Sequence, residues 1–152
     1  MTYNTIIIKR YLHIQEEYTS TAVAITPGHL IELTSAGLVQ KHATEDGNVL
    51  PMFAIEDALQ GNDIDTEYAV SSLVACWIPT RGDIVNAILK DEEVVAIGDF
   101  LVSAGNGELK KYDATTSVLD AERPIGVALA ALDLSSSSAA TVEATRIRVR
   151  IL

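Results

Sequence analysis

Three histidines, one cysteine and a surplus of carboxylates are the groups in this chain able to do chemistry. His13, His29 and His42 share no ligand spacing with one another or with Cys76, whereas metal sites recur as close pairs of ligands. His29 and His42 fall in strands that neighbour each other in the reading below, so they can meet in space. Surface or turn positions are nevertheless expected for them. Cys76 lies inside the apolar run Leu73-Val74-Ala75-Cys76-Trp77-Ile78, a setting that raises a thiol pKa and leaves the sulfur inert. No Gly-x-Ser-x-Gly elbow is present to expose a serine nucleophile. The carboxylates come as neighbours: Glu16-Glu17, Glu45-Asp46, Glu56-Asp57 and Glu92-Glu93. Acid–base work needs two carboxyls in environments that separate their pKa values, and these polar segments predict solvation instead.

Three further patterns look like chemistry and read better as turns. Asn62, Asp63 and Asp65 offer the hard oxygens calcium takes, without the twelfth-position Glu of a helix–loop–helix site. Arg81-Gly82-Asp83 spells an adhesion tripeptide, but stands directly before the apolar run Ile84-Val85-Asn86-Ala87-Ile88-Leu89 and predicts a turn opening a strand. Gly105-x-Gly107 lacks the third glycine and the helix of a dinucleotide loop. The residues therefore give no catalytic group, no metal ligand and no cofactor site, and no enzyme is expected.

The elements that carry these residues are strands. Gly105-Asn106-Gly107 sits between the apolar runs Asp99–Val102 and Glu108–Tyr112. Glycine and asparagine tolerate positive φ, so this is a hairpin signal. Pro27-Gly28 and Ser35-Ala36-Gly37 punctuate strands at His29–Leu33 and Leu38–His42 in the same way. Phe53–Gln60 fits a helix by its Ala, Glu and Leu content and a strand by its match to Gly126–Leu132; the strand is preferred. Arg146-Ile147-Arg148-Val149-Arg150-Ile151 alternates strictly and predicts one buried and one polar face. Three arginines on one face of an acidic chain seek carboxylates, within the chain or on a neighbouring subunit. Roughly ten or eleven short strands follow, the pattern of an all-β sandwich or barrel with little helix.

The strands also repeat. Gly28-His29-Leu30-Ile31 stands where Gly98-Asp99-Phe100-Leu101 stands later, and Gly37–Lys41 stands where Gly107–Lys111 stands, both offset by 70 positions. Pro51-Met52-Phe53-Ala54 matches Pro124-Ile125-Gly126-Val127 at an offset of 73. A near-constant offset over three blocks points to an internal duplication, two similar halves of one β-domain.

Composition bounds the rest. With 152 residues, one domain with a real core is expected. The 11 Lys and Arg are outnumbered by 21 Asp and Glu, which argues against nucleic acid, since phosphate contact needs clustered cations. No apolar run reaches the roughly 20 residues that span a bilayer, no signal peptide is expected, and one cysteine forms no intrachain disulfide. Residues 1–20 read as an N-terminal arm ahead of a single domain over 21–152. Its β-prone run Tyr3-Asn4-Thr5-Ile6-Ile7-Ile8 is either the domain's first strand or an arm that adds a strand to another subunit.

The order of these features carries a resemblance. It runs Pro27-Gly28-x-Leu30-Ile31-x-Leu33, a Gly37 turn with Lys41, Phe53-Ala54-Ile55-Glu56-Asp57-Ala58-Leu59-x-Gly61, then Ile64-Asp65-x-x-Tyr68 and Gly82-Asp83-x-Val85-x-Ala87. It continues through Ile97-Gly98-Asp99-x-Leu101, Gly105-x-Gly107-x-Leu109, Pro124-Ile125-Gly126-Val127-Ala128-Leu129 and Ile147-Arg148-Val149. From about residue 22 onward the chain resembles the capsid decoration, or cement, proteins of tailed bacteriophages. The resemblance implies a β-rich structural protein, made in the host cytoplasm and carried on the outer surface of the head. It also implies a homotrimer that clamps neighbouring major capsid proteins, with no cofactor, nucleic acid or membrane partner. By position it gives Tyr3, Ile6, Ile7 and Ile8 a role in binding the capsid. Arg146, Arg148 and Arg150 are candidates for a subunit interface. The alternatives are a tail or fibre component and a carbohydrate-binding β-barrel module.

Overall fold

The glycine-punctuated hairpins belong to two copies of one strand pattern. The structure is a computed structural model and describes residues 4–9, 14–113, 123–136 and 145–152. Along the chain, β1 (Ile7–Lys9) and β2 (Gln15–Thr19) precede the hairpin β3 (Ile31–Leu33) and β4 (Val39–Lys41). Then come β5 (Phe53–Ala54), β6 (Leu73–Trp77), β7 (Ile84–Ile88) and β8 (Val94–Val95). The second hairpin is β9 (Phe100–Gly105) and β10 (Glu108–Lys111), followed by β11 (Gly126–Ala128), β12 (Leu132–Asp133) and β13 (Arg146–Ile151). The fold is all-β. A six-stranded sheet in the order β1-β7-β13-β11-β9-β10 packs over a three-stranded sheet β2-β6-β5, with β3–β4 and β12–β8 as separate ribbons. Among the described residues no sheet closes into a barrel.

The duplication holds at the level of strand pairing. In the first unit β6 lies between β2 and β5; in the second β13 lies between β7 and β11. The pairs Phe53↔Trp77 and Ala54↔Cys76 recur as Val127↔Arg150 and Ala128↔Val149. Leu30↔Phe53 recurs as Phe100↔Val127, and the parallel bridge Ser20↔Val39 recurs as Leu89↔Leu109. Single hydrogen bonds repeat too: Gly28 N–H to Ala54 O (2.8 Å) as Gly98 N–H to Ala128 O (2.9 Å). Gly28 and Gly98 share a positive φ of 97° and 94°, and Gly37 and Gly107 one of 73° and 76°. These pairings align Phe53 with Val127, one residue further along than the Pro51–Pro124 match gives. The Phe53–Gln60 stretch is a strand only at Phe53–Ala54, and the residues before Gly61 form a turn.

Side-chain alternation then builds two cores. In the first unit Ile25, Ile31, Val39, Ala54, Val74 and Cys76 point inward into one cluster. Their counterparts Val95, Leu101, Leu109, Ala128, Ile147 and Val149 point inward in the second unit. The opposite face of the first unit, Leu30, Phe53 and Trp77, is fully buried in that second cluster. Cys76 and Trp77 thus fall on opposite faces of β6, as alternation requires. The first unit is sandwiched, its inner face closed on itself and its outer face closed on the second unit.

The described strands of residues 1–20 pair within the chain. β1 pairs antiparallel with β7 and β2 with β6. Ile6 is a fully buried member of the larger core. The entry of β1 is fixed by Glu56, which accepts hydrogen bonds from the Thr5 hydroxyl and the Ile6 amide. Three isoleucines in a row find their sheet within their own domain.

Two glycine variants test the close approach of β11 and β13. A methyl group at Gly126 would stand 2.3 Å from Val149 Cγ1 and 2.7 Å from the Arg150 carbonyl. At Gly37 it would meet open space, but at a φ of 73°. Gly126→Ala is expected to cost about 1–3 kcal/mol through overpacking, and Gly37→Ala about 1 kcal/mol through backbone strain alone. Urea unfolding measures both; a smaller loss at Gly126 than at Gly37 would contradict this junction.

Candidate functional site

The groups singled out for chemistry are tied into the fold. His29 is buried, its Nδ1 3.0 Å from the Thr26 amide and 2.9 Å from the Thr26 carbonyl. Burial, then the charge of Lys41, pushes its pKa down to about 3. His42 is also buried, with Nδ1 2.7 Å from Ser103 Oγ and Nε2 3.6 Å from Glu32. Neither histidine is a surface group, contrary to expectation. Each strand-end ring turns into the junction where the hairpin tip at Gly107 meets the first unit. The two rings do not form a pair, being held by different partners. His13 lies outside the described residues. Cys76 is buried, its thiol pushed up to about 12 chiefly by burial, and donates to the Val74 carbonyl at 3.3 Å. Among the described residues no group of three His, Cys, Asp or Glu is placed to hold a metal ion.

At least one member of each carboxylate pair is tied into the fold, while Glu17 and Glu92 are exposed. Lys110 meets Glu45 at 2.9 Å and Asp46 at 2.8 Å, joining the loop after β4 to β10. Burial alone would lower the Lys110 pKa, but hydrogen bonding to Asp46 and Glu45 carries it above its ordinary value. Glu16 accepts a short hydrogen bond from the Tyr18 hydroxyl, and the Lys111 amide donates to Glu93. Lys111 pairs with Asp99 at 2.9 Å. A cleft of about 620 Å³ lined by Glu45, Lys90, Glu93, Lys110, Lys111, Tyr112 and Asp113 is thereby close to charge-balanced. In the adhesion-like tripeptide, Asp83 is fully buried and accepts from the Thr80 amide and hydroxyl, at 2.8 and 3.0 Å. It is a turn opening β7.

The arginine row divides. The Arg146 side chain is only 3% exposed. It donates to Asp65, to the Ile64 carbonyl, and at 3.2 Å to the Pro27 carbonyl. It is an internal clamp of the second unit on two loops of the first. Arg148 is half-buried, and Arg150 is exposed on the outer face. The loop expected to be merely solvated therefore holds Asp65 against Arg146 and sends Ile64 into the core. The sequence signal was an isoleucine inside a polar run. Asp63 serves the loop itself, accepting from Thr66 Oγ1 at 2.8 Å and the Asp65 amide at 3.1 Å.

Exposed apolar groups lie on sheet faces and in turns. On the outer face of the second unit Phe100 is 48% exposed, beside half-buried Val127 and exposed Arg150. Ile97, in the turn before β9, is 70% exposed. Of the arm residues, Ile6 is buried and Ile7 and Ile8 are half-buried in β1, the edge strand of the larger sheet. Tyr3 lies outside the described residues.

No protein-family model and no curated protein matches the sequence. Among solved structures, the chain is similar to the N base of the head fibre protein gp8.5 of bacteriophage phi29. The TM-score is 0.55 at 10% identity, over 93% of this chain and 95% of that one. At that identity the likeness is one of fold.

Two predictions follow from the buried polar groups. Arg146→Ala leaves the Ile64 and Pro27 carbonyls without their donor and is expected to cost about 2–4 kcal/mol. Arg150→Ala should stay within about 0.5 kcal/mol. Urea unfolding of the two variants separates them, and equal costs would refute the division of the row. His29 gives a pH dependence. Its folded pKa lies below the unfolded value, so between about 6.5 and 3 only the unfolded chain binds this proton. Stability from this group is complete above pH 6.5 and falls by about 1.4 kcal/mol per unit as pH drops toward 3. Comparing His29→Gln with the parent chain between pH 7 and 4.5 should show a shallower loss in the variant. Parallel curves would mean that His29 is not buried neutral.

Proposed function

We propose that this chain is a non-enzymatic structural component of a phage virion, attached to the outer surface of the head. The observation that carries the reading is the fold-level likeness to the phi29 head fibre base over almost the whole of both chains. The resemblance of the sequence's motif order to capsid decoration proteins supports the same location. Within it, the preferred role is decoration. Copies grouped as homotrimers contact neighbouring major capsid subunits and clamp them, with repeated weak contacts giving avidity across the lattice.

The architecture suits such a task. Two stacked β-units with interlocked cores transmit load through main-chain ladders. The net charge of −10 favours solubility before assembly. A second reading, the base of a head fibre, is favoured by the same neighbour and shares the attachment surface. It differs in copy number and in needing a further fibre-forming segment or partner.

Co-sedimentation with emptied, expanded heads of the phage that encodes this chain tests both. Saturation near one copy per major capsid subunit is the expected result for a lattice-wide clamp. Saturation at a few copies per head would favour the fibre base. Absence of binding by well-folded protein would remove both readings.

A further inference from the structure

Asn106-Gly107, at the tip of the β9–β10 hairpin, is the only place in the chain where glycine follows asparagine. The order matters chemically. A glycine nitrogen carries no hindrance from a side chain of its own residue, and its backbone turns freely. Once free to move, it can reach the carboxamide carbon of the asparagine before it. Asn106 is exposed to the water such a reaction needs, whereas Gly107 is buried.

The same dipeptide is where the second unit docks on the first. The Gly107 N–H donates to the His42 carbonyl at 3.0 Å, and the Leu30 N–H donates to the Gly107 carbonyl at 2.8 Å. Gly107 thereby closes the end of the β3–β4 ribbon, where the His42 N–H meets the Leu30 carbonyl at 3.0 Å. Asn106 and Gly107 both hold a positive φ, of 52° and 76°. A methyl group on Gly107 would stand 3.0 Å from His29 Cδ2 and 3.0 Å from the Leu30 carbonyl oxygen, so the docked tip has little room to shift. Attack on Asn106 requires the Gly107 nitrogen to give up the proton it shares with His42. It also requires the main chain at Asn106 to turn that nitrogen onto the carboxamide. Both need the tip to lift from the ribbon first.

We propose that Asn106 is a modification site, deamidated when the hairpin tip lifts, and that its conversion to isoaspartate keeps the tip from docking again. The Gly107 nitrogen loses its proton and attacks the Asn106 carboxamide carbon. A carbon–nitrogen bond forms, the bond to the side-chain nitrogen breaks, and ammonia leaves with the proton. Water then opens the cyclic imide at either carbonyl, and no oxidant or reductant enters. Opening at one carbonyl gives aspartate. Opening at the other gives isoaspartate, in which the main chain runs through the former β-carbon. That chain is longer by a methylene directly before Gly107. The Gly107 N–H and C=O are then out of register with His42 and Leu30, at a contact too close to absorb the displacement. The inference rests on this junction and not on the virion reading.

The test incubates the purified full chain at mildly alkaline pH, folded and in urea, and follows Asn106 by peptide mass and by isoaspartyl methyltransferase labelling. Conversion in the folded chain is expected, at least about tenfold more slowly than in urea, because only the lifted tip reacts. Ion exchange then separates the converted chains by their added negative charge. In the isoaspartate fraction the Leu30 and Gly107 amides should exchange with deuterium at least about tenfold faster than in the parent, while the β11–β13 ladder keeps its rates. Asn106→Asp carries the added charge without the longer main chain and should keep parental exchange at both amides. Conversion of the folded chain as fast as in urea would overturn the proposal, and so would its absence while the unfolded chain converts completely. An isoaspartate chain with parental protection at Leu30 and Gly107, or an Asn106→Asp chain that loses it equally, would also overturn it. Head binding by a fully converted chain would leave the virion reading intact, and the exchange at Leu30 and Gly107 in that chain alone decides this one.

Discussion

The layer formed by Leu30, Phe53 and Trp77 is the contact on which the structure depends. These side chains sit on the outer face of the first unit and are fully buried against the second. Covering a Leu, a Phe and a Trp stabilises by about 1.5–3 kcal/mol for each of the first two and at least as much for the indole. Neither unit has a complete core without this layer. The second unit's inward face, Val85, Ala87, Leu101, Ile147 and Val149 among others, would otherwise lie open on one side. Most other features of the chain place this layer or follow from it.

The same positions explain why the units stack once in the chain and stop. The counterparts of Leu30, Phe53 and Trp77 are Phe100, Val127 and Arg150, as the strand pairings align them. An arginine in place of the tryptophan makes this face of the second unit compatible with water. The packing is also one-sided. The Leu30 amide donates to the Gly107 carbonyl at 2.8 Å, but the reciprocal pair, Phe100 and Gly37, does not meet, and Gly37 faces open space. The duplicated units are therefore related head to tail and not by a two-fold axis. Arg146 secures this arrangement by reaching back to Pro27, Ile64 and Asp65.

Much of the fold was legible in the sequence because its signals are local. The left-handed glycines at 28, 37, 98 and 107 announce the turns of both units. The alternation of Arg146–Ile151 states its own burial pattern, buried at every second residue. What escaped depends on distance along the chain. The one-residue slip between the Pro51 and Pro124 blocks is set by hydrogen bonds to Gly28 and Gly98, not by the prolines. Ile64 joins the core only because Arg146, far along the chain, pins its loop. His29 and His42 look like turn residues and are buried because a second unit packs over their ends. Local spacing carries no record of that contact, and the duplicated pattern, read alone, would predict equal exposure for the two units.

The division of polar groups bears on how such a chain can act on anything else. Glu45, Asp46, Glu56, Asp83, His29, His42 and Arg146 each hold a turn, a loop or a strand entry in place. Recruiting one of them to a reaction would release the contact it makes, since a buried polar group that loses its partner costs about 1–3 kcal/mol. Main-chain edges and half-exposed apolar side chains are free of that constraint, because they can gain partners without the fold losing any. The groups left without a structural duty are therefore main-chain edges, half-exposed apolar side chains and a few charges such as Arg150.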